Sequence, residues 1–119
     1  MSEWVELCLP YPPSVNHYWK HTKSGRHYIT AAGREFKATA VQAAAKFEPF
    51  AGAVEVRLEI YFPDKRRRDL DNLCKGIFDS LSASGLILDD DCHTVRKYSI
   101  ENKGIKKGGQ CVVKIKAVE

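Results

Sequence analysis

Residues 54–62 have the sequence VEVRLEIYF, in which apolar and polar side chains alternate over the whole stretch. Successive side chains of a β-strand point to opposite faces of its sheet, so this alternation predicts a half-buried strand. Pro63 ends the pattern, because proline lacks the backbone N–H that a sheet ladder needs. We expect this strand at the centre of the sheet, with a buried face made of Val54, Val56, Leu58, Ile60 and Phe62.

Two amphipathic segments flank this strand and predict helices. The downstream helix runs from about Leu70 to Ser84, and Gly85 after it is a typical C-terminal cap. The upstream helix runs from the N-cap Thr30 to about Phe47, and its alanines allow close packing on a sheet. The apolar residues of the downstream helix recur at helical spacing and form one buried stripe; they are Leu70, Leu73, Cys74, Ile77, Phe78 and Leu81.

The two ends of the chain predict the remaining strands. Residues 4–9 alternate in the same way, and a strand over about 92–101, a turn over 102–109 and a last strand over 110–118 complete the chain. The order of elements is therefore β-α-β-α-β-β. A chain of 119 residues has room for one hydrophobic core. We expect a single α+β domain over residues 1–119, with two helices packed on one face of a mixed sheet.

The segment between the first strand and the first helix, from Pro10 to about Tyr28, predicts irregular structure. Aromatic rings stack on bases and cations contact phosphates, so the segment is a candidate nucleic-acid surface. The alternative is that its aromatic residues cover the edge of the core. It interleaves the aromatic Tyr11, Tyr18, Trp19 and Tyr28 with the basic His17, Lys20, His21, Lys23, Arg26 and His27.

The distribution of charge is more informative than its sum. The net charge is only +4, but residues 96–116 contain seven basic residues and a single acidic one, Glu101. Clustered positive charge suits a polyanionic partner such as DNA. Lys106 and Lys107 in the predicted turn, and Lys20 in the aromatic segment, are the candidate phosphate contacts.

Composition also indicates a compartment. Residues 1–4 show no basic region ahead of an apolar stretch, and no run of about 18 apolar residues occurs anywhere. We therefore expect a cytoplasmic protein that does not enter a membrane. The cysteines lie too far apart for a zinc or redox motif and are expected to be reduced thiols, mostly buried; they are Cys8, Cys74, Cys92 and Cys111.

Two acids and a lysine mark the start of the downstream helix. Asp69 and Asp71 straddle its first residues, and Lys75 lies one turn beyond Asp71 on the same face. Clustered carboxylates supply the oxygen ligands that Mg²⁺ requires and leave positions for water and a substrate phosphate. The alternative is ordinary helix capping, since aspartate favours the first turn of a helix.

Charged runs before and after the helix extend this candidate site. Arg66, Arg67 and Arg68 precede the two acids, and they fit either a phosphodiester held beside a metal or a solvated loop. The run Asp89-Asp90-Asp91 offers a third carboxylate if it folds back on the helix, or else a polar turn. The acids would hold the metal that activates water, and Lys75 would add positive charge beside the phosphate or position the water.

An ordered set of motifs spans nearly the whole chain. It consists of the early LPYPPSVN at 9–16, PDKRRRDLDNLCK at 63–75, Phe78-Asp79, Leu81, Gly85, Leu88-Asp89-Asp90, and Lys107-Gly108-Gly109. Together these motifs resemble the RusA family of phage and bacterial Holliday junction resolvases, and the ordered set is far more specific than any single motif.

The resemblance implies a homodimeric endonuclease that depends on Mg²⁺, with Mn²⁺ as a substitute, and nicks opposing strands of a four-way DNA junction. It implies that Asp69 and Asp71 are catalytic acids and metal ligands, and that Lys75 is the essential lysine. The family's third aspartate aligns with Asp90, although this chain has an additional acid in Asp91.

Two other functions account for part of the sequence. A non-catalytic nucleic-acid-binding module would explain the basic residues but not the acids among the arginines. A metal-dependent phosphohydrolase acting on nucleotides would need the acids but not a wide basic surface.

Overall fold

A computed structural model of the chain describes residues 3–118, with the exception of the His21 side chain. The predicted domain over residues 1–119 includes Met1, Ser2 and Glu119, which lie outside the described residues. Within that range no helix is long and apolar enough to cross a membrane. The elements are β1 (Val5–Leu9), α1 (Val15–Tyr18), β2 (Trp19–His21), β3 (His27–Ile29), α2 (Ala31–Ala44), β4 (Val54–Phe62), α3 (Asp71–Ala83), β5 (Val95–Ile105) and β6 (Gln110–Ala117).

The main sheet has the strand order β1-β6-β4-β5, so β4 lies inside it as predicted. β4 pairs antiparallel with β6 and parallel with β5, and α3 makes the crossover between the two parallel strands. The alternation of β4 is confirmed, because its apolar positions are all buried in one core cluster. The sheet is therefore mixed, and its parallel part is the β4-α3-β5 unit that positions the candidate site.

Helices α2 and α3 pack on the apolar face of the sheet and against each other. The Thr30 side chain accepts a hydrogen bond from the Gly33 N–H at 3.1 Å, which confirms the predicted N-cap of α2. Gly85 follows α3 with φ +80°, a left-handed conformation that glycine adopts without a Cβ penalty. The opposite face of the sheet is polar. The predicted α+β fold, with two helices on one face, is confirmed.

The segment predicted to be irregular contains α1 and the β2–β3 hairpin. Its anchor is Tyr18, which is 1% exposed and donates or accepts a hydrogen bond at 2.8 Å from the Ser80 hydroxyl on α3. Tyr18 packs closely against two glycines. A Cβ atom added to Gly76 would lie 2.8 Å from the tyrosine ring, and one added to Gly33 would lie 2.7 Å from the Tyr18 carbonyl oxygen. This segment is ordered by contacts with α2 and α3, which lie further along the chain, and not by an apolar period of its own. Its sequence therefore shows no clear secondary-structure pattern.

β5 departs from its predicted limits. It begins at Val95 because Asp91 organises the preceding residues into a turn, and it continues to Ile105 rather than ending at residue 101. Gly104, at φ +119°, accommodates a register shift that lets the strand continue through a polar stretch. The turn to β6 is correspondingly short.

The expectation that the cysteines are mostly buried holds for two of them. Cys74 and Cys111 are buried, and burial raises the pKa of the Cys111 thiol to about 12. Cys8 and Cys92 are exposed. Cys8 alternates with the buried Leu7 and Leu9 of β1, so it faces the polar side of the sheet.

Candidate active site

The start of α3 presents two acids that have no partner within residues 3–118. Asp71 is the first residue of the helix, and Asp69 lies just before it, where its carbonyl accepts a hydrogen bond from the Asn72 N–H at 3.2 Å. Leu70 occupies the N-cap position, and no side-chain hydrogen bond caps the helix. Both carboxylates are exposed and make none of the described hydrogen bonds or ion pairs. Capping therefore does not occupy either acid, although Asp71 still gains from the positive end of the helix dipole.

Lys75 lies one turn further along α3. Its Nζ is 3.6 Å from Asp79 Oδ2 and 5.6 Å from the centre of the Trp19 ring. Trp19 belongs to the first strand of the hairpin, so the segment ordered by Tyr18 borders this lysine. Sequence reasoning included Trp19 only as part of an aromatic surface; its link to Lys75 depends on the hairpin.

The three consecutive aspartates have three different environments. Asp91 Oδ1 accepts hydrogen bonds from the Thr94 N–H at 2.9 Å and the His93 N–H at 3.1 Å, which lower the pKa of its carboxyl group. Asp89 Oδ1 accepts from the Asp90 N–H at 2.7 Å. The Asp90 carboxylate has no hydrogen bond or ion pair to any described residue. Of the three, Asp90 is therefore the one whose carboxylate stabilises none of the described loop structure through a hydrogen bond or ion pair.

A hollow between α3, the aspartate run and β5 brings several of these groups together. Lys75 and Asp90 line it, together with Phe78, Asp91, Cys92, Val95 and Tyr98. Asp71 lies close by. Burial, followed by the charge of Asp71, raises the pKa of the Cys74 thiol, and Asp71 also contributes to the raised pKa of the Tyr98 hydroxyl after Cys74 and burial. The structure thus places Lys75 and Asp90 around one depression, whereas Asp71 is outside its lining and acts on Cys74 and Tyr98 only through its charge.

Tyr98 forms the β5 side of this hollow and was not among the predicted site residues. Its ring packs edge-on against Phe78, with centroids 4.9 Å apart and planes at 72°, and half of the side chain is exposed. The register pairs Tyr98 with Val56, so both point to the helix side of the sheet. The parallel pairing that fixes this orientation comes from the α3 crossover and is not visible in the local sequence.

Asp69 borders a second cavity on the other side of the α3 N-terminus. Within the described part of the chain, no three histidine, cysteine, aspartate or glutamate side chains lie close enough to form a metal cluster. Asp69, Asp71 and Asp90 are therefore not gathered into one coordination shell. The cavity lies between the proline segment (residues 10–14), α2 and the arginine loop (residues 63–69). Its lining includes Tyr11, His17, Glu35, Arg66, Arg68 and Asp69.

The arginine loop is organised by Asp64. Arg68 donates to both Asp64 carboxylate oxygens, at 2.7 and 3.0 Å, and its guanidinium lies 5.9 Å from the centres of the Tyr11 and Phe62 rings. The hydrogen bonds from Arg68 and from the Arg66 N–H lower the pKa of Asp64 to about 2. The side chain of Arg66 is 82% exposed, and Arg67 is exposed as well. Sequence reasoning did not single out Asp64, although its four-residue spacing from Arg68 was the available signal.

The predicted lysines lie on two different parts of the surface. Lys20 is exposed on β2. Lys106 and Lys107 belong to the turn between β5 and β6, where Lys106 Nζ is 2.6 Å from Gln110 Oε1. The Lys106 N–H donates to the Phe62 carbonyl at 2.9 Å, which holds this turn beside the start of the arginine loop. The turn lysines and the exposed arginines therefore lie at the same end of the sheet.

Comparisons with known proteins cover almost the whole described chain. Residues 10–116 match the family described as Endodeoxyribonuclease RusA. The Crossover junction endodeoxyribonuclease RusA of Escherichia coli K12 is 38% identical over 107 residues, which are 87% of this chain and 87% of that protein. Proteins of the same name from Enterobacteria phage 82 and Shigella sonnei cover the same shares at 38% and 39% identity.

Proposed function

Because the chain belongs to the RusA endodeoxyribonuclease family, we propose that this nuclease resolves four-way DNA junctions by paired, Mg²⁺-dependent nicks. The observation that carries the proposal is the hollow shared by Lys75 and Asp90, with Asp71 close to it. These groups suit phosphodiester hydrolysis, and Asp71 and Asp90 are not engaged by other described side chains. We infer the branched DNA substrate from the name of the relatives, crossover junction endodeoxyribonuclease.

The donor atoms fit a hard divalent cation. Asp69, Asp71 and Asp90 offer exposed carboxylate oxygens, which are the ligands that Mg²⁺ and Mn²⁺ prefer. Mg²⁺ typically takes one or two protein carboxylates and completes its shell with water and substrate phosphate. We propose that Asp71 and Asp90 would hold the metal, and that Asp69, which lines the cavity on the other side of the α3 N-terminus, is the third candidate ligand. When bound, the metal would supply an acidic water and neutralise charge on the phosphate.

Lys75 acts on the phosphate directly. Its ammonium group is on the face of α3 that borders the hollow, and Asp79 and Trp19 restrict where its flexible side chain can lie. As the attacking oxygen adds to phosphorus, negative charge grows on the non-bridging oxygens. A positive charge placed beforehand at that position stabilises the transition state more than the ground state.

DNA beyond the scissile phosphate would be held by basic side chains. Arg66 and Arg67 on the arginine loop and Lys106 and Lys107 on the adjacent turn form one contact surface, and Lys20 on the hairpin forms another. Contacts to phosphates fix position without reading sequence. Arg68 instead stabilises the conformation of the loop through its ion pair with Asp64.

Paired nicks require two active sites, and each chain carries one hollow. We propose a homodimer with two-fold symmetry, because a four-way junction has approximate two-fold symmetry and would present equivalent phosphates to the two copies.

One experiment separates this function from its two rivals. The chain is incubated with a synthetic four-way junction, a linear duplex of the same sequence and a nucleoside triphosphate, each with Mg²⁺ and with a chelator. Junction cleavage only with Mg²⁺ supports the proposal. Junction binding without cleavage would support a binding module, and hydrolysis of the nucleotide alone would support a phosphohydrolase.

A further inference from the structure

β5 is a long strand at the edge of the sheet with one side unused. It runs over Val95–Ile105 and, among the described residues, hydrogen-bonds as a strand only to β4. Most of its side chains are exposed, including half of Tyr98 and 55% of Ile105. The outer edge of such a strand presents unpaired N–H and C=O groups that can pair with another strand.

The middle of β5 is free of the irregularities that usually protect an edge. Register shifts relative to β4 occur near Arg96 and near Lys103, because Val54 and Glu55 pair with Val95 and Lys97, and Ile60 and Tyr61 pair with Asn102 and Gly104. The bulges, together with the basic residues Arg96 and Lys103 at these two points, discourage pairing at the ends of the strand. Residues 97–102 between them pair one to one with β4 and form a regular template.

This regular segment is complementary to itself in one antiparallel register. Tyr98 and Ile100 face the helix side, opposite Val56 and Leu58, whereas Lys97, Ser99 and Glu101 face the polar side. A two-fold axis through Ser99 would place Lys97 of each copy opposite Glu101 of the other, and Tyr98 opposite Ile100. Opposite charges and aromatic to β-branched pairs are both stabilising across antiparallel strands.

The polar face of the sheet is a weaker candidate for such an interface, because its charges already pair within the chain. Lys114 Nζ lies 3.3 Å from Glu59 Oε2, and Lys116 Nζ lies 4.0 Å from Glu55 Oε1. Glu101 differs: its one described ion pair is a 3.9 Å contact with the partly exposed Lys103, and 64% of its side chain is exposed. The acid on this face with the most exposed ion pair therefore lies on β5.

We infer that β5 pairs antiparallel with β5 of a second copy about Ser99, so that two four-stranded sheets join into one. This β5 pairing would form the interface of the dimer proposed above. It depends on the backbone and charges of β5 and not on nuclease activity. An axis perpendicular to the sheet leaves the helices of both copies on the same face. Because Tyr98 borders the hollow, both candidate active sites would then flank the axis and face one DNA molecule.

The test is the mass of the full chain by analytical ultracentrifugation over a dilution series, without DNA or metal. A short edge buries less area than a standard interface, so we expect a dimer that dissociates on dilution. Glu101→Lys would place the new lysine of each copy opposite Lys97 of the other copy. We expect these two like-charge pairs to raise the dissociation constant of the dimer about tenfold or more. Lys97→Glu should do the same, and the double variant Lys97→Glu/Glu101→Lys should restore the wild-type dimer.

Matched controls separate pairing from net charge and from folding. Glu48→Lys makes the same charge change as Glu101→Lys at an exposed position after α2, and Lys46→Glu matches Lys97→Glu; neither should change the dimer. Within one chain Glu101 lies opposite Glu59, so Glu101→Lys removes a like-charge pair and should leave the thermal midpoint at or above that of the wild type.

A cross-link reports the register directly. Ser99→Cys, in a chain with the exposed Cys8 and Cys92 changed to serine, should form a disulfide between copies under oxidised glutathione, because opposed residues on antiparallel strands lie within disulfide range. Lys97→Cys in the same background should not. A monomeric wild type, a dimer unaffected by Glu101→Lys, or cross-linking at residue 97 rather than 99 would overturn the inference. A dimer without junction cleavage would instead count against the proposed function alone.

Discussion

Arg68 and Asp64 form a two-pronged ion pair, with Nη1 2.7 Å from Oδ1 and Nη2 3.0 Å from Oδ2. The pair closes the arginine loop on itself. Arg66 remains largely exposed, although its Nε lies 3.8 Å from Asp64 Oδ2, and Arg67 is exposed as well. The three consecutive arginines therefore divide into one that shapes the loop and two whose side chains are exposed, and we propose the exposed two as phosphate contacts.

Arg66→Ala with Arg67→Ala should lower the salt dependence of junction binding. Each phosphate contact contributes about −0.9 to the slope of log K against log salt, so the slope should flatten by roughly one to two. Fluorescence anisotropy on a labelled junction between low and moderate salt measures it. Lys37→Ala on α2, combined with Lys46→Ala just after that helix, is the control for lost charge. An unchanged slope would move the phosphate contacts to the hairpin or the β5–β6 turn.

Asp64→Asn should change the acid stability of the protein. The pKa of Asp64 is lowered to about 2, below its value of 3.8 in the unfolded chain, so the ion pair stabilises the folded state above pH 4 and is lost as pH falls through 2. The wild type should melt at a higher temperature than Asp64→Asn at pH 5, and the gap should close towards pH 2. Glu48→Gln should show no such gap. A gap independent of pH would mean that the pair does not titrate in this way.

Asp71→Asn should abolish junction cleavage and leave junction binding intact or tighter. The substitution removes a metal ligand, but it also removes a negative charge that repels phosphate when no metal is present. Cleavage assays with Mg²⁺ and band-shift assays with a chelator measure the two effects separately. Asp79→Asn, on the same helix, should retain binding in the same assay. Cleavage by Asp71→Asn at near the wild-type rate would exclude Asp71 from the site.

The three aspartates at 89–91 should not be equivalent. Asp90→Asn should lose cleavage as completely as Asp71→Asn, because its carboxylate lines the hollow and has no other partner among the described residues. Asp89→Asn and Asp91→Asn should retain most activity, since asparagine can still accept the backbone hydrogen bonds that these two side chains make. Single-turnover cleavage rates of the three variants decide the point. Loss confined to Asp89→Asn or Asp91→Asn would shift the proposed ligand by one residue.

Tyr18→Phe should destabilise the fold by about 1–3 kcal/mol, because it leaves the buried Ser80 hydroxyl without its partner. The double variant with Ser80→Ala should recover part of the loss, since both unpaired groups are then gone. Urea denaturation measures the free energy of unfolding. Tyr28→Phe removes a hydroxyl from a side chain that is 51% exposed and should have little effect. Equal stability of Tyr18→Phe and the wild type would show that the hydrogen bond contributes nothing.

Elements with a clear period could be predicted from the sequence. The alternation over residues 54–62 predicted the central strand, and the stripe from Leu70 to Leu81 predicted α3, because each pattern reports which side of its own element is buried. Thr30 and Gly85 marked helix ends through hydrogen bonds and backbone angles that involve only near neighbours. The family motifs likewise follow from residues that are close in sequence, above all at 63–75.

Tertiary structure decided what depends on residues distant in the chain. The hairpin around Trp19 is ordered because Tyr18 packs against Gly33 and bonds Ser80, and no local pattern encodes those contacts. Tyr98 reaches the hollow beside Lys75 only because the α3 crossover pairs β5 parallel with β4. The sequence by itself determined the four strands of the main sheet, the helices α2 and α3, and the supply of acids and cations. Which of those groups share a surface was decided by packing, since a side chain's direction follows from its own backbone but its neighbours follow from how the elements assemble.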